Sequence, residues 1–206
     1  MWHEASMAFS SKAKPRMRAP RPAGSPPSEA KLREAAIAHL AKFSATEAGL
    51  ARVLGSKMRR WAHAAQSEGQ DTSEALAEGL VAAKRIAAAM VQSGVVDDAG
   101  FAAARMQKLA RGGRSRRATA AHLAAKGIGA EDARTALEAA PDERDVALAM
   151  CRKRRIGPFS RTDADAALRL KWLGILARAG FSRDVAQAAL RTEPDEAEER
   201  ILALRS

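Results

Sequence analysis

Apolar residues recur every three or four positions along most of this chain, the spacing that puts them on one face of an α-helix. Leu32, Ala36, Leu40 and Phe43 make the first such stripe, and Ser44-Ala45-Thr46-Glu47 then has the form of a capping box. Leu50, Val53, Leu54, Met58 and Trp61 continue it, with Gly55 and Ser56 predicting an interruption. An Ala-rich segment from Ser67 to Ser93 places Leu76, Leu80, Val81, Ile86 and Met90 on one face and is closed by Gly94. Asp97 and Asp98 read as N-caps of a helix from about Ala99 to Leu109, with Phe101 and Met106 inward. From Arg111 to Leu137 the chain reads helix, tight turn, helix: Ala120, Leu123 and Ala124 face the core, Gly127 stops the first helix, and Glu131 and Asp132 open the second near its positive end.

The same unit returns further on. Pro141 and Asp142 start a helix through Val146, Leu148 and Met150 that ends in Arg152-Lys153-Arg154-Arg155, and Pro158 breaks the chain. Asp163 to Ala179 forms the next helix, with Ala167, Leu168, Trp172, Ile175 and Leu176 inward. Setting Gly180 on Gly127 aligns Phe181 with Ile128, Leu176 with Leu123, Ala186 with Ala133 and Leu190 with Leu137, a period of 53 residues. Such a recurrence predicts a tandem helical array in which each unit buries its face on its neighbour. Lys31 to Trp61 reads as a degenerate first copy without a turn glycine. A last helix with Ile201, Leu202 and Leu204, following the acidic cluster Glu193 to Glu199, caps the array.

Composition supports helices alone: 47% of the 206 residues are apolar, mostly Ala and Leu, while aromatics are 4% and Tyr is absent. Residues 1–30 differ, carrying five of the eight prolines and Lys12, Lys14, Arg16, Arg18 and Arg21, which predicts a disordered basic arm. The remaining expectation is a first module over 31–94 with an Ala-rich insertion, a second over 95–140, and a third over 141–206 with its capping helix. No apolar run approaches the roughly 18 residues of a membrane span, and the single cysteine, Cys151, suits a reducing cytoplasm. A membrane partner is therefore not expected.

The net charge of +11 calls for an anionic partner, and the cations are clustered. Arg105, Lys108, Arg111, Arg114, Arg116 and Arg117 have no acid between them, with Lys126 following; Arg152, Lys153, Arg154, Arg155, Arg161, Arg169, Lys171 and Arg178 form a second group. Together they predict a positive stripe suited to a long polyanionic object. Sequence readout by the helix after Gly127 is disfavoured, because it would present Glu131 and Asp132 to the phosphates and only Arg134 as a guanine-reading fork. Catalytic chemistry lacks its parts. His3, His39, His63 and His122 share no ligand spacing, Gly112-Gly113 lacks the context of a phosphate loop, and Asp97 with Asp98 are explained as helix caps. Cys151 beside Arg152 has no base supplied, and Trp61 and Trp172 lie on apolar stripes. No catalytic residue, metal or cofactor is expected.

Asp97-Asp98 with Phe101-Ala102, then Gly113-Arg114-Ser115-Arg116-Arg117, then Leu123 to Ile128 and Ala136-Leu137 closely resemble the RecX family of recombination regulators, and Arg178 to Ser182 with Leu190 resembles that family's closing module. The resemblance runs from about Lys31 to Arg191. It implies an all-α protein, an elongated, curved array of three tandem three-helix repeats, that binds the RecA recombinase filament and inhibits its ATPase and strand exchange in DNA repair, recombination and the SOS response. It also implies weak DNA contact and no catalysis, and a monomer is expected. The other reading of the residues is a stand-alone basic DNA-binding protein or transcriptional regulator.

Overall fold

The computed structural model describes residues 23–205, and among these every regular element is helical. The order is α1 (Glu29–Leu40), α2 (Glu47–Ser67), α3 (Ser73–Gln92), α4 (Asp98–Arg111), α5 (Arg116–Lys126), α6 (Ala130–Glu138), α7 (Glu143–Arg154), a 3₁₀ turn (Gly157–Phe159), α8 (Ala166–Arg178), α9 (Arg183–Arg191) and α10 (Pro194–Ala203). The cations of the arm up to Arg21 lie outside the described residues. Residues 23–28 lie against α2: the Ala23 N–H donates to Glu68 and the Trp61 indole donates to the Gly24 carbonyl.

Packing joins the helices in consecutive threes. α3 lies on α1 and α2, α6 on α4 and α5, and α9 on α7 and α8, while α10 covers α7. The apolar side chains form two cores rather than three. Leu32, Leu50, Leu54, Met58, Ile86 and Met90 fill one between α1, α2 and α3. Leu123, Leu148, Cys151, Trp172, Leu176 and Ile201 belong to a second, which runs through α4 to α10 without a break between residues 140 and 141.

Several sequence expectations are corrected. α2 continues through Gly55 and Ser56, because Leu80 of α3 approaches Gly55 closely and the Ser56 hydroxyl is satisfied by the Arg52 carbonyl one turn back. The N-cap of α2 is Thr46, whose hydroxyl accepts from Gly49 N–H, rather than Ser44. Its terminating glycine is Gly69, beyond the segment read as the first copy; there Gln70 N–H reaches back to the Ala65 carbonyl, the bond that Ile128 makes to Leu123 and Phe181 to Leu176. Phe43, Val81, Ala124 and Ala167 are exposed instead of inward. α1 ends at Leu40, which takes Phe43 off its stripe, and Val81 lies off the α3 face made by Gly79, Ala83, Ile86 and Met90.

The helix groups meet through their termini. Thr46 Oγ1, besides capping α2, donates to the carbonyl of Lys126 at the end of α5 (2.8 Å), and Glu47 N–H donates to Asp98 at the start of α4 (2.9 Å). At the next junction Ser115 Oγ caps α5 and donates to the Ala179 carbonyl at the end of α8 (2.7 Å), while Arg116 N–H donates to Glu143 at the start of α7 (3.0 Å). Both hydroxyls belong to buried residues. Gly180 completes the second junction: its φ of 94° is left-handed, and a Cβ there would stand 2.7 Å from Ser115 Oγ.

Ser115→Ala removes a helix cap and takes the hydroxyl partner from the Ala179 carbonyl, which costs about 2–3 kcal/mol in urea melts. Ser182→Ala, which removes an exposed cap of α9 alone, costs about 1 kcal/mol. Equal losses at the two serines would contradict the bridging role of Ser115.

Candidate functional site

The cations of α4 step along its surface at intervals of three residues, Arg105, Lys108 and Arg111, so neighbouring heads sit on adjacent turns. At the near end, Arg105 Nε donates to His122 Nε2 of α5 (2.9 Å), which leaves the histidine proton on Nδ1. Burial first, and then the charges of Arg105, Arg114 and Lys126, hold the His122 pKa below the ordinary 6.5. Three of the predicted cations thus surround one imidazole.

At the far end of α4 the two predicted groups meet. The turn after α4 lies directly on α7, because Gly113 takes a φ of 75° and a Cβ would come within 2.6 Å of the Met150 nitrogen. That approach sets Arg111 opposite Arg152 and Lys153 across a cleft of about 330 Å³, which Arg205 from the chain's last turn also lines. Arg152 leans on Glu198 of α10 at 3.4 Å; among the described residues no carboxylate pairs with Arg111, Lys153 or Arg205. Four basic side chains thus line one small cleft, and three of them have no carboxylate partner among the described residues.

Other predicted cations are already engaged or stand apart. Arg116 donates to the carbonyls of Ala140 and Pro141 (3.3 Å each), closing the exit from α6. Arg114 and Arg117 are exposed around the start of α5, and Arg154 is exposed at the end of α7. Arg155 ends α7 in the left-handed conformation at φ 56°. Arg169 lines a cavity of about 770 Å³ with Trp172 and Arg191, into which Asp163 and Glu193 also face; Arg161, Lys171 and Arg178 are exposed and line neither cavity.

Sequence reasoning missed Arg205, and also Arg52 and Arg60 of α2, which join Lys126 and His39 around a cavity of about 450 Å³. Arg52 donates to the Lys126 carbonyl (3.0 Å). The run Lys57 to Arg60 signals basic character there, but its approach to Lys126 is a tertiary contact. Arg134 is closed off as a base reader, since Glu131 and Glu138 take both arms of its fork at 2.6 Å. Burial pushes the Cys151 thiol up to about 12, so it is inert at neutral pH. Asp97 caps α4 through Gly100 N–H, and Trp172 is in the core. Among the described residues no helix is long and apolar enough to cross a membrane.

These features define an all-α protein with cation-lined clefts at the junctions of its helix groups. The chain is 34% identical over 169 residues to the regulatory protein RecX of Myxococcus xanthus, covering 79% of this chain and 86% of that one. A second relative, the regulatory protein RecX of Agrobacterium fabrum, is 32% identical over 104 residues, 50% of this chain and 56% of the other. No family model matches the chain. The chain belongs to the RecX family of regulatory proteins.

An NMR titration is expected to place the His122 midpoint below 6.5, and Arg105→Gln to move it upward. Because the folded chain binds its proton less readily than the unfolded chain, the stability gained from neutral His122 is full above 6.5 and is lost as pH falls from 6.5 to the lowered value. A midpoint that Arg105→Gln leaves unchanged would remove Arg105 as a cause.

Proposed function

We propose that this protein binds the RecA recombinase filament and lowers its ATPase and strand-exchange activity, as a monomeric, non-catalytic regulator in the cytoplasm. The observation that carries this reading is the cleft where Arg111, Arg152, Lys153 and Arg205 converge from the C-terminal ends of α4, α7 and α10. A nucleoprotein filament presents repeated anionic groups over a long distance, and a series of basic clefts along successive helix groups suits it better than a short operator. The packing of helices in threes and the recurring hydroxyl junction support a tandem array of three-helix units, which would carry the clefts along its length. Contact with DNA in this reading is weak and independent of sequence, since α6 opens with Glu131 and Asp132 and Arg134 is paired within its own helix. A sequence-specific regulator would need a recognition helix with free donors, which α6 does not supply.

Purified recombinase on single-stranded DNA tests the proposal. Stoichiometric amounts of this protein are expected to reduce both ATP hydrolysis and strand exchange, with inhibition weakening as salt rises because the contacts are charged. Unchanged rates at equimolar protein would overturn it.

A further inference from the structure

The two hydroxyl junctions are built alike, yet their surroundings differ. At the second, the turn after α4 lies on the backbone of α7, and only the small basic cleft opens beside it. At the first, the longer connection from Ala41 to Ala45 follows the end of α1 and leaves an open groove between the end of α1, the end of α3 and the exposed side of α4. Its volume is about 980 Å³. Ile37, Phe43 and Val95 line it while 57%, 59% and 59% exposed, and Phe101 extends the apolar floor. This is the largest gathering of uncovered apolar side chains among the described residues, and such patches mark docking surfaces.

Its edge carries two cations and one carboxylate, so cations predominate. Arg105 and Lys108 of α4 stand along one wall, and the carboxylate in the lining, Asp97, is committed to the Gly100 N–H at 2.8 Å. The α4 wall from Gly100 to Lys108 is about 12 Å long, two turns of helix. Among the described residues there is no strand whose edge a peptide could extend, so pairing by strand addition is not available. We propose that this groove binds an amphipathic α-helix of a partner protein, apolar along one face and carrying carboxylates along the edge that meets Arg105 and Lys108. The large apolar anchors would fill the space over Phe43 and Val95, and the carboxylates would fix direction. The site is separate from the basic cleft, and the inference stands or falls independently of the filament reading.

The test uses the full chain and a labelled synthetic helix of about five turns, with Leu at i, i+3, i+4 and i+7 spacing and Glu flanking the stripe. Fluorescence anisotropy is expected to show saturable binding that the double variant Phe43→Ser/Val95→Ser weakens at least about tenfold. Both positions are exposed, so circular dichroism should show unchanged helix content. Lys108→Glu is expected to weaken binding about threefold and to flatten its salt dependence. Arg111→Glu/Lys153→Glu, in the other cleft, should leave it unchanged. Four outcomes would overturn the proposal: equal binding of a peptide with the same composition but no stripe, equal binding when Lys replaces the flanking Glu, indifference to Phe43→Ser/Val95→Ser, or dimerisation of the chain that this double variant abolishes, which would assign the groove to a second copy.

Discussion

A buried side-chain hydroxyl closes two helix ends at once wherever one group of helices meets the next in this chain. Thr46 and Ser115 each accept from the first turn of their own helix and donate to the last carbonyls of a helix in the following group. A helix terminus leaves unpaired N–H and C=O groups that are costly to bury, so a residue that satisfies both kinds lets two termini come together away from water. A carboxylate at the start of a third helix, Asp98 or Glu143, takes another N–H at the same point.

The surface chemistry depends on that arrangement. Because the groups join at helix ends, the cations gathered there converge: Arg105 and Lys126 around His122, and Arg111 with Arg152 and Lys153 beside the turn at Gly113. The two junctions differ in what backs them. The second lies over a continuous apolar core from α4 to α10, whereas the core of α1 to α3 is separate and is linked to α4 and α5 by hydrogen bonds of Thr46, Glu47 and Arg52 and by the packing of Ala48 on Gly127. The open groove falls at this first, polar junction.

What could be read from the sequence was what local chemistry decides. The helices, the stops at Gly127 and Gly180 and the cap at Asp97 depend on neighbours within a few residues, and the structure places them as expected. Gly55 misled because a glycine inside a helix reads as a break until Leu80 of another helix is seen lying over it. The roles of Thr46 and Ser115 were not legible: the capping-box pattern pointed to Ser44, and the second bonds of the two hydroxyls cross 80 and 64 residues. The basic groups were visible as runs of Arg and Lys, but their division into clefts was not. Arg205 and Arg52 join through tertiary folding, and Arg116 and Arg152 are partly committed to Ala140, Pro141 and Glu198.

In the function proposed above, the cleft of Arg111 and Lys153 holds this regulatory protein on a recombinase filament. Co-sedimentation with preformed filaments, compared for the native chain and Arg111→Glu/Lys153→Glu at matched helix content, tests it most directly. The native chain is expected in the pellet and the double variant in the supernatant, with the difference shrinking as salt rises. Equal recovery of both in the pellet at every salt concentration would contradict the account.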